Sequence, residues 1–194
     1  MRLSPVVVAL ILSLSSSAFA NGVESPKKEG MKEKTSERSA PDKGSPMPSS
    51  IRALKDRIIE IQNRSPLMIV DFTLCRSVEG YGSFVPFPGN VVTNAREIQF
   101  YYEPTNLFTS VTPEGYAVSF SQDMLLLSAA GEILYRESKA RSFTHKGNKP
   151  ALDIYGFNKI DITGLAPGEY VYKIVVNDEL SDAVAEASLP FVIR

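Results

Sequence analysis

From residue 65 onward the chain predicts an all-β fold, an antiparallel sandwich of seven or eight strands, on three observations. Apolar and polar side chains alternate at period two through one short segment after another. Clusters of Gly, Pro, Asn and Asp separate those segments and supply the backbone conformations that turns require. No helical spacing intervenes between them, which removes the α/β classes.

The elements follow in chain order. Residues 1–20 read as a secretory signal peptide: Arg2 gives a basic start, Val6 to Leu14 is an apolar run too short to span a bilayer, and Ala18-Phe19-Ala20 is a small-x-small cleavage site. Cleavage there leaves about 174 residues beginning near Asn21, in a secreted or periplasmic compartment. No cysteine stands at that site to carry a lipid, and no later apolar stretch has the length of a membrane helix, so the mature chain is expected to lack a membrane span. Residues 21–50 are Lys, Glu, Ser, Pro and Gly with almost no apolar content; they cannot bury enough surface to offset the entropy of ordering and are expected to be a disordered linker. Through residues 51–64, Ile51, Leu54, Ile58 and Ile61 recur at helical spacing. Ser49 or Ser50 is placed to cap this short helix, and Asn63-Arg64-Ser65-Pro66 to end it. At about three turns it is marginal alone, so its apolar stripe should lean on the following residues or on a partner.

The sandwich occupies residues 65–194. Met68, Val70, Phe72 and Leu74 give the first strand its apolar face; Ile98, Phe100 and Tyr102 mark a second, and Tyr116, Val118 and Phe120 a third. Met124 to Leu127 and Ile133 to Arg136 flank a hairpin signal at Ala129-Ala130-Gly131-Glu132. A short strand holds Ile160 and Ile162. Tyr170, Tyr172, Ile174 and Val176 point inward from the next strand, and Ala185, Ala187, Leu189, Phe191 and Ile193 share one face of the last. Such an arrangement is expected to be of immunoglobulin-like type.

Two resemblances rest on particular residues. Leu165-Ala166-Pro167-Gly168-Glu169-Tyr170, leading into Val171 to Val176, resembles the L-x-P-G-x-Y approach to a late strand in fibronectin type III and related domains; it implies that the Tyr170 hydroxyl bonds back to the backbone at a corner. Leu74 to Gly82, Phe100-Tyr101-Tyr102-Glu103, Gly115-Tyr116 and Leu189 to Ile193 are similar to uncharacterised secreted proteins of environmental bacteria, a family with no assigned activity. Its members carry a basic, aromatic-rich segment ahead of the late strands, and residues 141–157 depart from that pattern.

Chemistry is sparsely represented. Charges nearly cancel, with 21 basic and 22 acidic side chains; residues 51–194 hold 14 and 17 of these, a net of −3, so nucleic acid is a poor partner. Cys75 and His145 are the sole cysteine and histidine. Cys75 falls in a strand and is expected to be a buried filler, His145 falls in a Lys/Gly/Asn loop, and neither has the setting of a nucleophile. One of each is too few for zinc, and Asp178, Glu179 and Asp182 read as a solvated turn before they read as a calcium site; no cofactor or catalytic set is expected.

The richest local feature is residues 80–90 (GYGSFVPFPGN), where Tyr81, Phe84 and Phe87 lie among glycines and prolines that keep the backbone irregular. Displayed rings of this kind stack on sugars or anchor a protein partner. The plainer expectation is that Phe84 and Phe87 fold back over an open sheet edge. Tyr101, opposite in facing to Phe100 and Tyr102, is a fourth candidate for an exposed contact. The expected function is a non-catalytic binding or accessory module for an envelope protein or glycan. Its rivals are a protease-inhibitor-like protein presenting this loop or the 104–115 connection, and a hydrolase whose carboxylates converge only in three dimensions.

Overall fold

The computed structural model describes residues 49–194; the signal peptide and nearly all of the linker expected from the sequence lie outside them. Helix α1 (Ser49–Gln62) starts two residues earlier than its apolar spacing suggests. Ten strands follow: β1 (Met68–Gly80), β2 (Ser83–Pro86), β3 (Val91–Val92), β4 (Glu97–Thr105), β5 (Ser110–Thr112), β6 (Gly115–Ser128), β7 (Ile133–Gly147), β8 (Gly156–Asp161), β9 (Gly168–Asp178) and β10 (Val184–Ile193). They form two sheets. One has the order β2-β1-β4-β8; the other runs β3-β10-β9-β6-β5, with β7 also paired to β6. All pairings are antiparallel except β3 with β10.

One apolar core joins the sheets. Leu74 of β1, Ile98, Phe100 and Tyr102 of β4 and Ile160 of β8 meet Phe120, Met124 and Leu126 of β6, Tyr172, Ile174 and Val176 of β9, and Phe191 of β10. Phe100 stacks on Tyr172 with centroids 3.9 Å apart and meets Phe191 edge-on at 5.4 Å. These are the positions the period-two pattern assigns inward, because alternate side chains of a strand share one face. At the corner before β9 the Tyr170 hydroxyl donates to the Ala166 carbonyl at 2.7 Å, the bond the L-x-P-G-x-Y resemblance implies.

Three expectations need correction. The strands number ten, because Ser83–Pro86 pairs with β1, Val91–Val92 with β10 and Ser110–Thr112 with β6, where irregular loops were expected. The third strand and the first arm of the hairpin are one strand, β6, which runs unbroken through Ser121-Gln122-Asp123. Polar residues hold that stretch because each is bonded: Ser121 to Glu179, Gln122 to the Tyr102 hydroxyl at 2.5 Å, and Asp123 to the Lys139 N–H. His145 lies in β7 opposite Val118, where a loop was expected. Of the two supports its spacing allows, the following residues or a partner, the stripe Ile51, Leu54, Ile58 and Ile61 does not use the first: these four side chains are 44–66 % exposed, and Ile59 is the buried residue of α1.

Candidate functional site

Strand β4 has two working faces. Ile98, Phe100 and Tyr102 enter the core, so Gln99, Tyr101 and Glu103 fall on the outer face of the four-stranded sheet. A solvent-facing row would ordinarily be exposed, yet Tyr101 is fully buried and Glu103 is 7 % exposed. Local covers account for this. The β1–β2 hairpin turns within two residues, Tyr81 and Gly82, with Gly82 at φ 63, a conformation that suits glycine. That turn brings the Phe84 ring to 4.5 Å from the Tyr101 ring. From the opposite side Tyr155, just before β8, stacks on Tyr101 at 5.7 Å, and Tyr81 meets Tyr155 edge-on at 6.4 Å.

Hydrogen bonds lock the cluster. The Tyr101 hydroxyl donates to the Glu103 carboxylate and accepts the Gly82 N–H at 2.8 Å, so the hairpin tip is tied to β4. Desolvation, then the Glu103 carboxylate beside it, raises the Tyr101 hydroxyl pKa. The Tyr81 hydroxyl is raised as well, by desolvation first, then by Glu103 and by the negative charge of Asp153 and Asp71. Asp71 takes a left-handed conformation, φ 50, where β1 bulges between Val70 and Thr73. The outcome is a surface with a half-exposed Tyr81, partly exposed Phe84 and Tyr155, a carboxylate behind the rings and two exposed carboxylates beside them.

Of the four rings singled out in the sequence, Tyr81, Phe84 and Tyr101 come together and Phe87 does not. Phe87 is 3 % exposed within the core, fixed by its N–H to the Leu74 carbonyl at 2.9 Å and covered by the Arg76 guanidinium 4.2 Å from the ring centroid. Tyr101 is not the exposed contact expected from its facing, because Phe84 and Tyr155 sandwich it. Phe84 folds onto the Tyr101 ring, whereas Phe87 packs into the core and not over an open sheet edge, where the plainer expectation had put both. Sequence reasoning missed Tyr155, Glu103, Asp71 and Asp153. Tyr155 sits beside a glycine as Tyr81 does, and that shared setting was the one available signal.

The remaining candidates stay apart. Cys75 is buried in β1, its thiol 3.4 Å from the Thr73 carbonyl and its pKa pushed up to about 11 by desolvation. His145 belongs to the other sheet, with Nε2 2.9 Å from the Lys149 carbonyl. Asp178 accepts the backbone N–H groups of Phe108, Leu180 and Ser181, at 2.6, 2.9 and 3.1 Å, and so organises the β9–β10 turn.

No family model matches the chain, and no curated protein does. Among solved structures it is similar to the Pseudomonas fluorescens alkylpurine DNA glycosylase AlkC bound to DNA containing an abasic site analogue, at 12 % identity and a TM-score of 0.35. That likeness covers 75 % of this chain and 37 % of the glycosylase chain, and it is too slight to carry an argument about function.

Proposed function

We propose that the protein is a secreted, non-catalytic binding module of immunoglobulin-like sandwich fold that holds an envelope glycan on the outer face of its four-stranded sheet. The observation that carries this reading is the pairing of a half-exposed Tyr81 ring and a partly exposed Tyr155 ring with carboxylates around Tyr101. A sugar ring presents an apolar face of C–H groups and a rim of hydroxyls. Tyr81 and Tyr155 offer apolar faces to the first; Asp71 and Asp153 offer acceptors to the second. The buried Tyr101–Glu103 pair holds the rings in place before ligand arrives, which lowers the ordering cost of binding. Support for the immunoglobulin-like type comes from the Tyr170 corner and from two sheets sharing one core. Support for secretion comes from the residue pattern of positions 1–20.

A second reading, a carboxylate-based hydrolase, draws on the negative charge that Glu103, Asp153 and Asp71 exert on the Tyr81 hydroxyl. One experiment addresses both. The mature protein is incubated with peptidoglycan sacculi and with a panel of soluble oligosaccharides, and both retention and cleavage are read. The binding reading predicts retention without cleavage, weakened about ten-fold or more by Tyr81→Ala at an unchanged melting temperature. Release of new reducing ends would replace it with the hydrolase reading, and no retention on any glycan would end both.

A further inference from the structure

Helix α1 turns its polar side to the protein and its apolar side outward. Its docked face consists of Asp56, whose carboxylate accepts the Tyr116 hydroxyl at 2.6 Å, the buried Ile59, and Asn63 just past its end. Asn63 exchanges two hydrogen bonds with the Thr109 backbone, at 2.8 and 2.9 Å. At about 100° per residue these three positions lie on one side of the helix, and Ile51, Leu54, Ile58 and Ile61 lie on the other. The four exposed residues are spaced three, four and three apart. That is the narrow seam of a two-stranded helical contact, with isoleucine or leucine at every a and d position and no aromatic residue. Lys55, Arg57 and Arg64 flank the seam; Glu60, the one carboxylate near it, is bridged to both arginines at 2.5 and 2.6 Å.

We infer that this seam is the docking surface for an amphipathic helix of a partner protein whose own seam is apolar and whose flanks are acidic. The surface is separate from the aromatic cluster and does not depend on what that cluster binds. Three considerations select this occupant. Seam spacing favours a helix over a bilayer surface, which takes a broader apolar face with aromatic residues. Three cations against one carboxylate favour acidic flanks on the partner. A second copy of the chain would bring the same cations against one another. Anchoring by Asp56, Ile59 and Asn63 also holds the helix formed before docking, which lifts the cost that a free peptide of this length would carry.

The test uses the mature chain and two synthetic helices of three heptads, alike at a and d, one with glutamate and the other with lysine at e and g. Isothermal titration should show binding to the acidic-flanked helix and binding weaker by about ten-fold or more to the basic-flanked one. Leu54→Glu with Ile58→Glu should abolish binding at an unchanged melting temperature, since both side chains face solvent. Lys55→Glu with Arg57→Glu should move the preference toward the basic-flanked helix. Equal affinity for the two helices, or none for either, would overturn the inference. So would retention on vesicles of equimolar phosphatidylcholine and phosphatidylglycerol in place of the peptide, or a concentration-dependent dimer in sedimentation.

Discussion

Tyr101 and Tyr102 are neighbours on one strand and both are buried, yet they are buried by different means. Tyr102 points into the core, where β8 passes so close that a Cβ on Gly156 would stand 2.3 Å from its ring, and its hydroxyl donates to Gln122 on the opposite sheet. Tyr101 points the other way and is covered by two rings from local connections, Phe84 and Tyr155. The inner face is thus enclosed by an entire second sheet, whereas the outer face is enclosed by a hairpin tip and a loop. A cover made of local rings can be altered without dismantling the fold, which is the condition a binding surface needs.

The contrast predicts a graded series. Phe100→Ala removes a ring stacked between sheets and should destabilise by about 3–5 kcal/mol, measured by urea unfolding at an unchanged denaturant slope. Tyr101→Phe keeps the ring but strands the Glu103 carboxylate and the Gly82 N–H, at a cost of about 1–3 kcal/mol. A cost near that of Phe100→Ala would mean that the outer cluster belongs to the core. Tyr170→Phe removes a single partly exposed hydrogen bond and should cost about 1 kcal/mol; an unchanged midpoint would remove the corner from the account.

Titration sharpens the same comparison. The folded chain holds the Cys75 proton up to about pH 11, against a thiol value of 9.0 for the unfolded chain. The folded state therefore binds the proton more tightly, and stability should fall as pH rises from about 9 to about 11. In native buffer near neutrality the thiol should resist a disulfide reagent and react only on unfolding. Rapid labelling would show that the outer cover opens readily.

What was legible in the sequence was whatever an apolar alternation records. β4, β9 and β10 follow from their inward residues, and the Tyr170 corner from a six-residue pattern. The continuity of β6 was not legible, since Ser121, Gln122 and Asp123 owe their place to partners on β9–β10, β4 and β7 that no local window contains. The burial of Tyr101 was hidden for the same reason, its covers lying on other segments, the β1–β2 hairpin at Phe84 and the loop before β8 at Tyr155. In α1 the apolar spacing was read correctly as a helix, whereas the face by which it meets the sheets was not legible, because Asp56 and Asn63 reach the protein through hydrogen bonds that hydropathy does not register.

The chain has eight tyrosines and no tryptophan, so its near-ultraviolet absorbance reports on tyrosine environments. The most direct test of the central claim is a difference spectrum recorded as soluble peptidoglycan fragments are titrated into the mature protein. A glycan seated on Tyr81 and Tyr155 predicts a saturable tyrosine perturbation that disappears in Tyr81→Ala with Tyr155→Ala and is weakened in Tyr81→Ala alone, whose melting temperature stays near that of the parent. A perturbation that survives in the double variant, or one absent from the parent, would contradict the assignment of this face as the binding site.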